Sequence, residues 1–198
     1  MPLLSRRRVI AAGIAATLPL PAFADPSVGA TVQVRGEAVL MRAQAAEMLK
    51  RDDPLFEGDL VRTGAAGFAE LLLITQTRIN LGPESEIGID RFIAELGGEI
   101  SIGGQMLFDR PDDLPKLDLT FRNAFAQIGV RGTRFFAGQS KGVFAVFVDR
   151  GEVAVTAAGV AQIVAAGAGV DVVEGAAPTA PVQWGQARID AAFASVGL

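Results

Sequence analysis

The chain has 198 residues, half of them hydrophobic, and a formal net charge of −4; that is apolar content for one core, and one domain is the default at this length. It contains no histidine, cysteine or tyrosine, which excludes a disulfide framework, zinc sites of the Cys/His kind, and Ser-His-Asp or Cys-His catalysis. A single tryptophan, Trp184, argues against a sugar- or base-stacking platform.

Residues 1–24 are expected to be a cleavable export signal. Ser5-Arg6-Arg7-Arg8 is a positive n-region, and Val9–Leu20 is an apolar run of 12 residues, short of the ~20 needed to span a bilayer. Ala22-Phe23-Ala24 supplies a small-x-small cleavage pattern, so Asp25 is the expected mature N-terminus. Arg6-Arg7 ahead of an Ala/Gly-rich, weakly hydrophobic core suits twin-arginine export. Val9-Ile10 stands where that signal usually carries Phe-Leu, which leaves the general secretory route open. Loss of Arg6, Arg7 and Arg8 leaves 15 basic residues against 22 acidic ones, a balance of −7. An acidic exported domain without a basic patch is a poor match for nucleic acid or anionic lipid. The expectation is a soluble periplasmic protein with no membrane span in the mature chain.

From residue 25 onward the sequence reads as short strands punctuated by glycine. Segments 30–35, 37–42, 60–63, 68–75, 77–82, 85–92, 99–108, 143–151, 152–159 and 169–175 are predicted strands. The clearest alternation is in "SEIGIDRF" (85–92), where Ile87, Ile89 and Phe92 are apolar among Glu86, Asp90 and Arg91. Two stretches break the pattern. Residues 42–59 read as an irregular excursion with one helical turn, and 109–118 as a charged, proline-bearing loop. After the linker "EGAAPTAP" (174–181), a helix is predicted. Trp184, Ile189, Ala192, Phe193 and Val196 share one face, with Thr179 as N-cap and Pro181 in an early helical position. That face is expected to lay Trp184 and Phe193 on the β core, and a partner-binding tail is the alternative.

A glycine–carboxylate–apolar order recurs at Gly36-Glu37, Gly58-Asp59, Gly98-Glu99 and Gly151-Glu152. At such a turn the glycine takes positive φ, the carboxylate stays in water and the next strand begins. A coiled stack of strands leaves this trace, and an ordinary β-sandwich accounts for it as well. The domain plan is therefore 1–24 export signal, 25–175 all-β domain, and 176–198 linker and C-terminal helix packed on it.

Four motifs stand in order: "GDLVRTG" (58–64), "LGPES" (81–85), "VRGT" (130–133) and "DRGEVAV" (149–155). Together they resemble the FecR-type periplasmic domain, over most of residues 25–175. The resemblance implies a twisted β-solenoid or roll, with the β-sandwich as the alternative, and a periplasmic interaction role. One departure is Thr75-Gln76-Thr77, where the family usually carries Asp-Gly-Thr, so that hairpin is expected to use another turn. A second is that only 24 residues precede the domain here, whereas full-length regulators carry a cytoplasmic anti-sigma segment and a membrane helix. Fold and compartment are thus implied, and transmembrane regulation is not.

"QIGVRGTRFFAG" (127–138) has two readings. In the first, Gly132 makes a turn or bulge, Thr133 bonds back to the local backbone, and Val130, Phe135 and Phe136 enter the core. Arg131 and Arg134 then meet carboxylates such as Asp149 or Glu152. In the second, Arg131, Thr133 and Arg134 form a small anion- or partner-binding spot. The first is favoured, because loop arginines usually meet water or nearby acids.

No cofactor or metal is expected. The acidic groups Asp109, Asp112, Asp113 and Asp52, Asp53, Glu57, Asp59 lack calcium-loop spacing, and the glycines form neither a dinucleotide nor a phosphate loop. Phe121, Phe125, Phe135, Phe136, Phe144 and Phe147 read as core. The expected function is a non-catalytic interaction module, binding a protein partner or envelope component in signalling or envelope maintenance. Sheet-edge pairing is its natural means, and self-association is open to it. The alternative is a carboxylate-dependent hydrolase acting on an envelope polymer.

Overall fold

The computed structural model describes residues 26–93, 96–130 and 133–198. The expected export signal, with Arg6, Arg7, Ala22, Ala24 and Asp25, lies outside the described residues, as do Arg131 and Gly132.

The described chain winds back and forth between two open nine-stranded sheets, A and B. It starts in sheet A with β1 (Gly29–Arg35), makes a hairpin of β2 (Ala38–Arg42) and β3 (Ala45–Met48) in sheet B, and returns to A with β4 (Pro54–Leu55). Next come β5 (Leu60–Thr63) in B, β6 (Phe68–Leu73) and β7 (Thr77–Leu81) in A, then β8 (Glu86–Ile93) and β9 (Gly97–Gly103) in B. After β10 (Met106–Asp109) in A, β11 (Asp118–Arg122) and β12 (Ala126–Val130) lie in B. The chain goes on with β13 (Arg134–Ser140) and β14 (Val143–Arg150) in A, then β15 (Glu152–Ala157) and β16 (Val160–Ala165) in B. It closes with β17 (Ala168–Val172) and β18 (Val182–Gln183) in A and the helix α1 (Gln186–Ala194).

In space sheet A runs β18-β17-β14-β13-β10-β7-β6-β1-β4, and sheet B runs β16-β15-β12-β11-β9-β8-β5-β2-β3. β4 flanks β1 at one end of sheet A, and from β5 onward each crossing adds strands at the other, growing end. The path is a coiled stack, and its two facing layers are those of a sandwich, so both expected architectures describe aspects of one all-β molecule. Strand neighbours are antiparallel except β9 and β11, which run parallel.

The inward residues of both sheets form one core. At its centre Phe108 and Phe135 of sheet A meet Phe121 of sheet B, with ring centroids 5.1–5.4 Å apart and Phe121 edge-on to both. All three rings are fully buried. Each contributes about 1.5–3 kcal/mol by burial, and edge-to-face contacts add about 0.5–1.5 kcal/mol per pair.

A second apolar cluster lies on the outer face of sheet A. Leu107, Phe136, Ala145 and Phe147 are covered by Trp184, Ala192 and Val196, with Ile189 and Phe193 against them. Trp184 stacks on Phe147 at 4.9 Å. The apolar face predicted for the C-terminal segment is thus used for packing on the β domain. Its start differs from expectation. Thr179 does not cap the helix; it pairs with Asp171 through two hydrogen bonds of 3.0 Å. Gly185 is the N-cap, without a side-chain bond.

Residues 42–59 also differ from expectation: they hold β3 and β4 and no helical turn. Ala43 and Gln44 both take positive φ, 44° and 78°, in the two-residue turn between β2 and β3. Neither is a glycine, so the usual turn signal is missing. The predicted strand 99–108 is two strands in opposite sheets, broken at Gly104, whose φ of 76° turns the chain from B to A. β11, β12, β13 and β16 lie outside the predicted strands, and β18 lies where the helix was expected to begin.

Candidate interaction surface

The family motifs serve first as joints of the fold. Asp59 of "GDLVRTG" is buried, and its carboxylate accepts Arg42 Nε and Nη2, both at 2.7 Å, together with the Phe56 N–H at 2.8 Å. The expectation that the carboxylates of these turns stay in water is wrong for Asp59. Its burial is offset by charge-assisted, two-point pairing with a half-exposed guanidinium. The bond to Asp59 in turn raises the Arg42 pKa above its usual value.

The next two motifs interlock. Thr63 Oγ1 donates to Gly82 O at 2.6 Å and accepts the Ser85 N–H at 2.9 Å. The Ser85 hydroxyl donates to Pro83 O at 2.9 Å and accepts the Gln105 N–H at 2.8 Å. One buried threonine thus ties the end of β5 to the β7–β8 turn, and the serine extends the tie to the start of β10. The hairpin before it turns at Gln76, whose φ is 59°, so a non-glycine residue holds the left-handed position.

Arg134, just after the third motif, and Arg150 of the fourth are matched by acids. Arg134 Nη1 lies 3.3 Å from Asp149 Oδ2 and its Nε 3.6 Å from Asp109 Oδ2. A bulge on β14 leaves Asp149 without a register partner and brings it beside Arg134. Arg150 Nη2 contacts Asp109 Oδ1 at 3.0 Å and Arg110 O at 2.7 Å, and its Nε lies 2.8 Å from Asp112 Oδ2. Burial opposes the charge on Arg150, but contacts with Asp112 and Asp109 carry its pKa above the usual value. Arg110 is buried and donates to Thr75 O, Thr77 Oγ1 and Pro115 O, fastening the 110–117 loop to the β6–β7 turn. Desolvation lowers its pKa.

Of the three residues singled out as a binding spot, Arg131 lies outside the described residues and Thr133 is fully buried. Among the described residues the Thr133 hydroxyl has no hydrogen-bond partner, whereas a bond back to the local backbone was expected. Arg134 reaches the surface in part, beside α1, with its guanidinium 5.1 Å from the Phe193 ring centroid. It therefore helps hold the helix. Arg188 does the same from the other side, donating to Asp171 at 2.6 Å and Ser140 at 2.9 Å while lying 3.7 Å over Trp184.

The acidic stretches are similarly engaged. Asp53 accepts the Lys50 N–H at 2.7 Å and Glu57 the Phe92 N–H at 3.0 Å. Among the described residues no group of three or more acidic side chains gathers as a metal site. None of their helices is long and apolar enough to cross a membrane.

What the fold leaves open is an edge. Sheet A ends at β4 and β18, two residues each, and sheet B ends at β3 and β16. β3 carries Glu47 and is followed by Lys50, Arg51, Asp52 and Asp53. β16, "VAQIVA", has six residues, no charge and no proline, and among the described residues pairs with β15 alone. Val160 is 44% exposed and Ile163 55%. Such an edge offers unpaired N–H and C=O groups to another strand, and charges or prolines usually guard it. Sequence reading missed this strand, although a signal was present: no charged residue occurs between Glu152 and Asp171. Beside it, a groove of about 880 Å³ crosses the outer face of sheet B over Thr120, Gly129, Ala154 and Ile163.

The description "FecR protein" belongs to the family matched by residues 59–154. Two solved structures of a proposed anti-sigma factor from Parabacteroides distasonis ATCC 8503 have the same kind of fold. One superposes with a TM-score of 0.54 at 16% identity, covering 67% of this chain and 63% of that one. The other gives 0.55 at 16% identity, covering 67% and 62%. This chain therefore spans less than two thirds of the length of either. No curated protein matches it. Residues 59–154, whose motifs act as joints of this fold, match the FecR protein family.

Proposed function

We propose that this chain is an exported, non-catalytic interaction module that binds a protein partner in the cell envelope through the open edge of β16. The observation that carries the reading is the uncharged six-residue edge strand β16, which pairs with β15 just beyond the FecR-matched stretch. Strand addition at such an edge supplies affinity through main-chain hydrogen bonds and specificity through alternate side chains. The FecR family match and the likeness to an anti-sigma factor support a signalling or regulatory role. The basic and apolar segments before Asp25 support export to the periplasm, by the twin-arginine or the general secretory route. Asp53, Glu57, Asp59, Asp109, Asp112 and Asp149 are engaged in ion pairs and backbone contacts, which supports binding without turnover.

The test is photo-crosslinking in the native envelope from a benzophenone residue placed at position 163, followed by mass spectrometry. A second probe at position 174, in an exposed loop, serves as control. The reading predicts a discrete adduct from 163 and none from 174. Equal labelling from both positions, or none from 163, contradicts it.

A further inference from the structure

We propose that the partner at the β16 edge is a second copy of this chain, paired antiparallel about a two-fold axis at Ile163. This rests on the reading of β16 as a contact edge. Three observations select the occupant.

The first is charge. The chain is net negative at −4, so identical copies repel at long range and meet most readily where charge is absent. The edge and its flanks provide that, with no ionisable side chain from Val153 to Val170. A charged foreign strand would find nothing there to read electrostatically. The opposite edge of sheet B, with Glu47, would set like charges against each other if it paired with itself.

The second is self-complementarity. With the axis at Ile163, antiparallel register places Ile163 against Ile163, Ala161 against Ala165 and Gln162 against Val164. The outward row of sheet B, Gly129–Ala154–Ile163 in register, then continues into its own copy. Ile163, more than half exposed in the single chain, gains an apolar neighbour, and the small residues on either side leave room for it.

The third is the lack of protection. β16 has no charge, proline or bulge of its own, and a twin strand removes the exposed edge as directly as any guard residue. A single strand pair buries less than the ~1,200 Å² of a standard interface. The dimer is therefore weak and depends on concentration.

Two measurements test this. In sedimentation velocity the protein should shift from monomer to dimer as concentration rises. Ile163→Lys, which sets two ammonium groups across the axis, should hold it monomeric with unchanged circular dichroism, and Ile163→Val should still dimerise. Because the chain has no cysteine, Ile163→Cys should form a disulfide-linked dimer under mild oxidation. Directly opposed residues of antiparallel strands lie within disulfide reach. Ala154→Cys, on the strand next to the edge, should not cross-link. A protein monomeric at every concentration, a dimer that Ile163→Lys leaves intact, or absence of the Ile163→Cys dimer overturns the proposal. If it falls while position 163 still crosslinks a different protein in the envelope, the contact-edge reading stands. If position 163 captures nothing, both fall.

Discussion

Replacing Thr63 with valine removes one hydroxyl and adds a methyl of nearly the same size, so packing is preserved while the joint between two motifs is lost. Two buried groups lose their partner: the Ser85 N–H, bonded at 2.9 Å, and the Gly82 carbonyl, bonded at 2.6 Å. A buried polar group left unpaired costs about 1–3 kcal/mol, so the pair costs about 2–4 kcal/mol if the turn relaxes in part. Thr63→Ser keeps both bonds and gives up one methyl, about 1 kcal/mol. For a domain of this size each kcal/mol moves Tm by about 2–4 °C. Valine should therefore lower Tm by about 4–16 °C and serine by about 2–4 °C. Thermal unfolding by far-ultraviolet circular dichroism reads the whole β domain, and Trp184 emission reads the helix on sheet A. If valine proves as stable as serine, packing rather than hydrogen bonding carries this position, and the view of the motifs as hydrogen-bonded joints is refuted.

Other substitutions probe the remaining joints. A methyl on Gly169 would collide with the indole nitrogen of Trp184, so Gly169→Ala should displace the helix, red-shift Trp184 emission and speed proteolysis after residue 181. Asp59→Asn should lower stability by about 1–3 kcal/mol in urea titration, because the two-point Arg42 contact loses its charge while the site stays buried. Gln76→Gly should raise stability by about 0.5–1 kcal/mol, since φ of 59° is native to glycine; a loss would mean that the Gln76 side chain is needed. Arg134→Glu should loosen the helix, seen as faster exchange of the α1 amides, because it sets a third carboxylate against Asp109 and Asp149 and removes the cation from the Phe193 ring.

The sequence made the strand character legible where inward positions alternate cleanly, as at Ile87, Ile89 and Phe92, which are all buried. It also showed the apolar side of the C-terminal segment: Ala192 in α1 and Trp184 and Val196, which flank the helix, all pack on sheet A. Turns made by non-glycine residues stayed hidden: Ala43, Gln44 and Gln76 carry no local signal for positive φ. The buried role of Asp59 was equally invisible, since its partner Arg42 lies 17 residues away and only the pairing of β2 with β5 brings them together. The strand β16 escaped for the opposite reason. "VAQIVA" is apolar on both faces, so it lacks the period-two alternation that marks a half-buried strand, and an edge is a property of topology rather than of any local word. Arg134 and Asp149 were paired correctly from their place in "VRGTRFF" and "DRGEV", whereas Asp109 came in from a strand 25 residues earlier.

Amide hydrogen exchange across residues 160–165 is the most direct measurement, comparing the dilute protein with the complex recovered from the envelope. The β16 amides facing away from β15 should exchange quickly when dilute and become protected in the complex, while α1 and the turns of sheet A are unchanged. Protection appearing on α1 or on the sheet A turns, with β16 still exchanging freely, would contradict the central claim that this edge is the working surface.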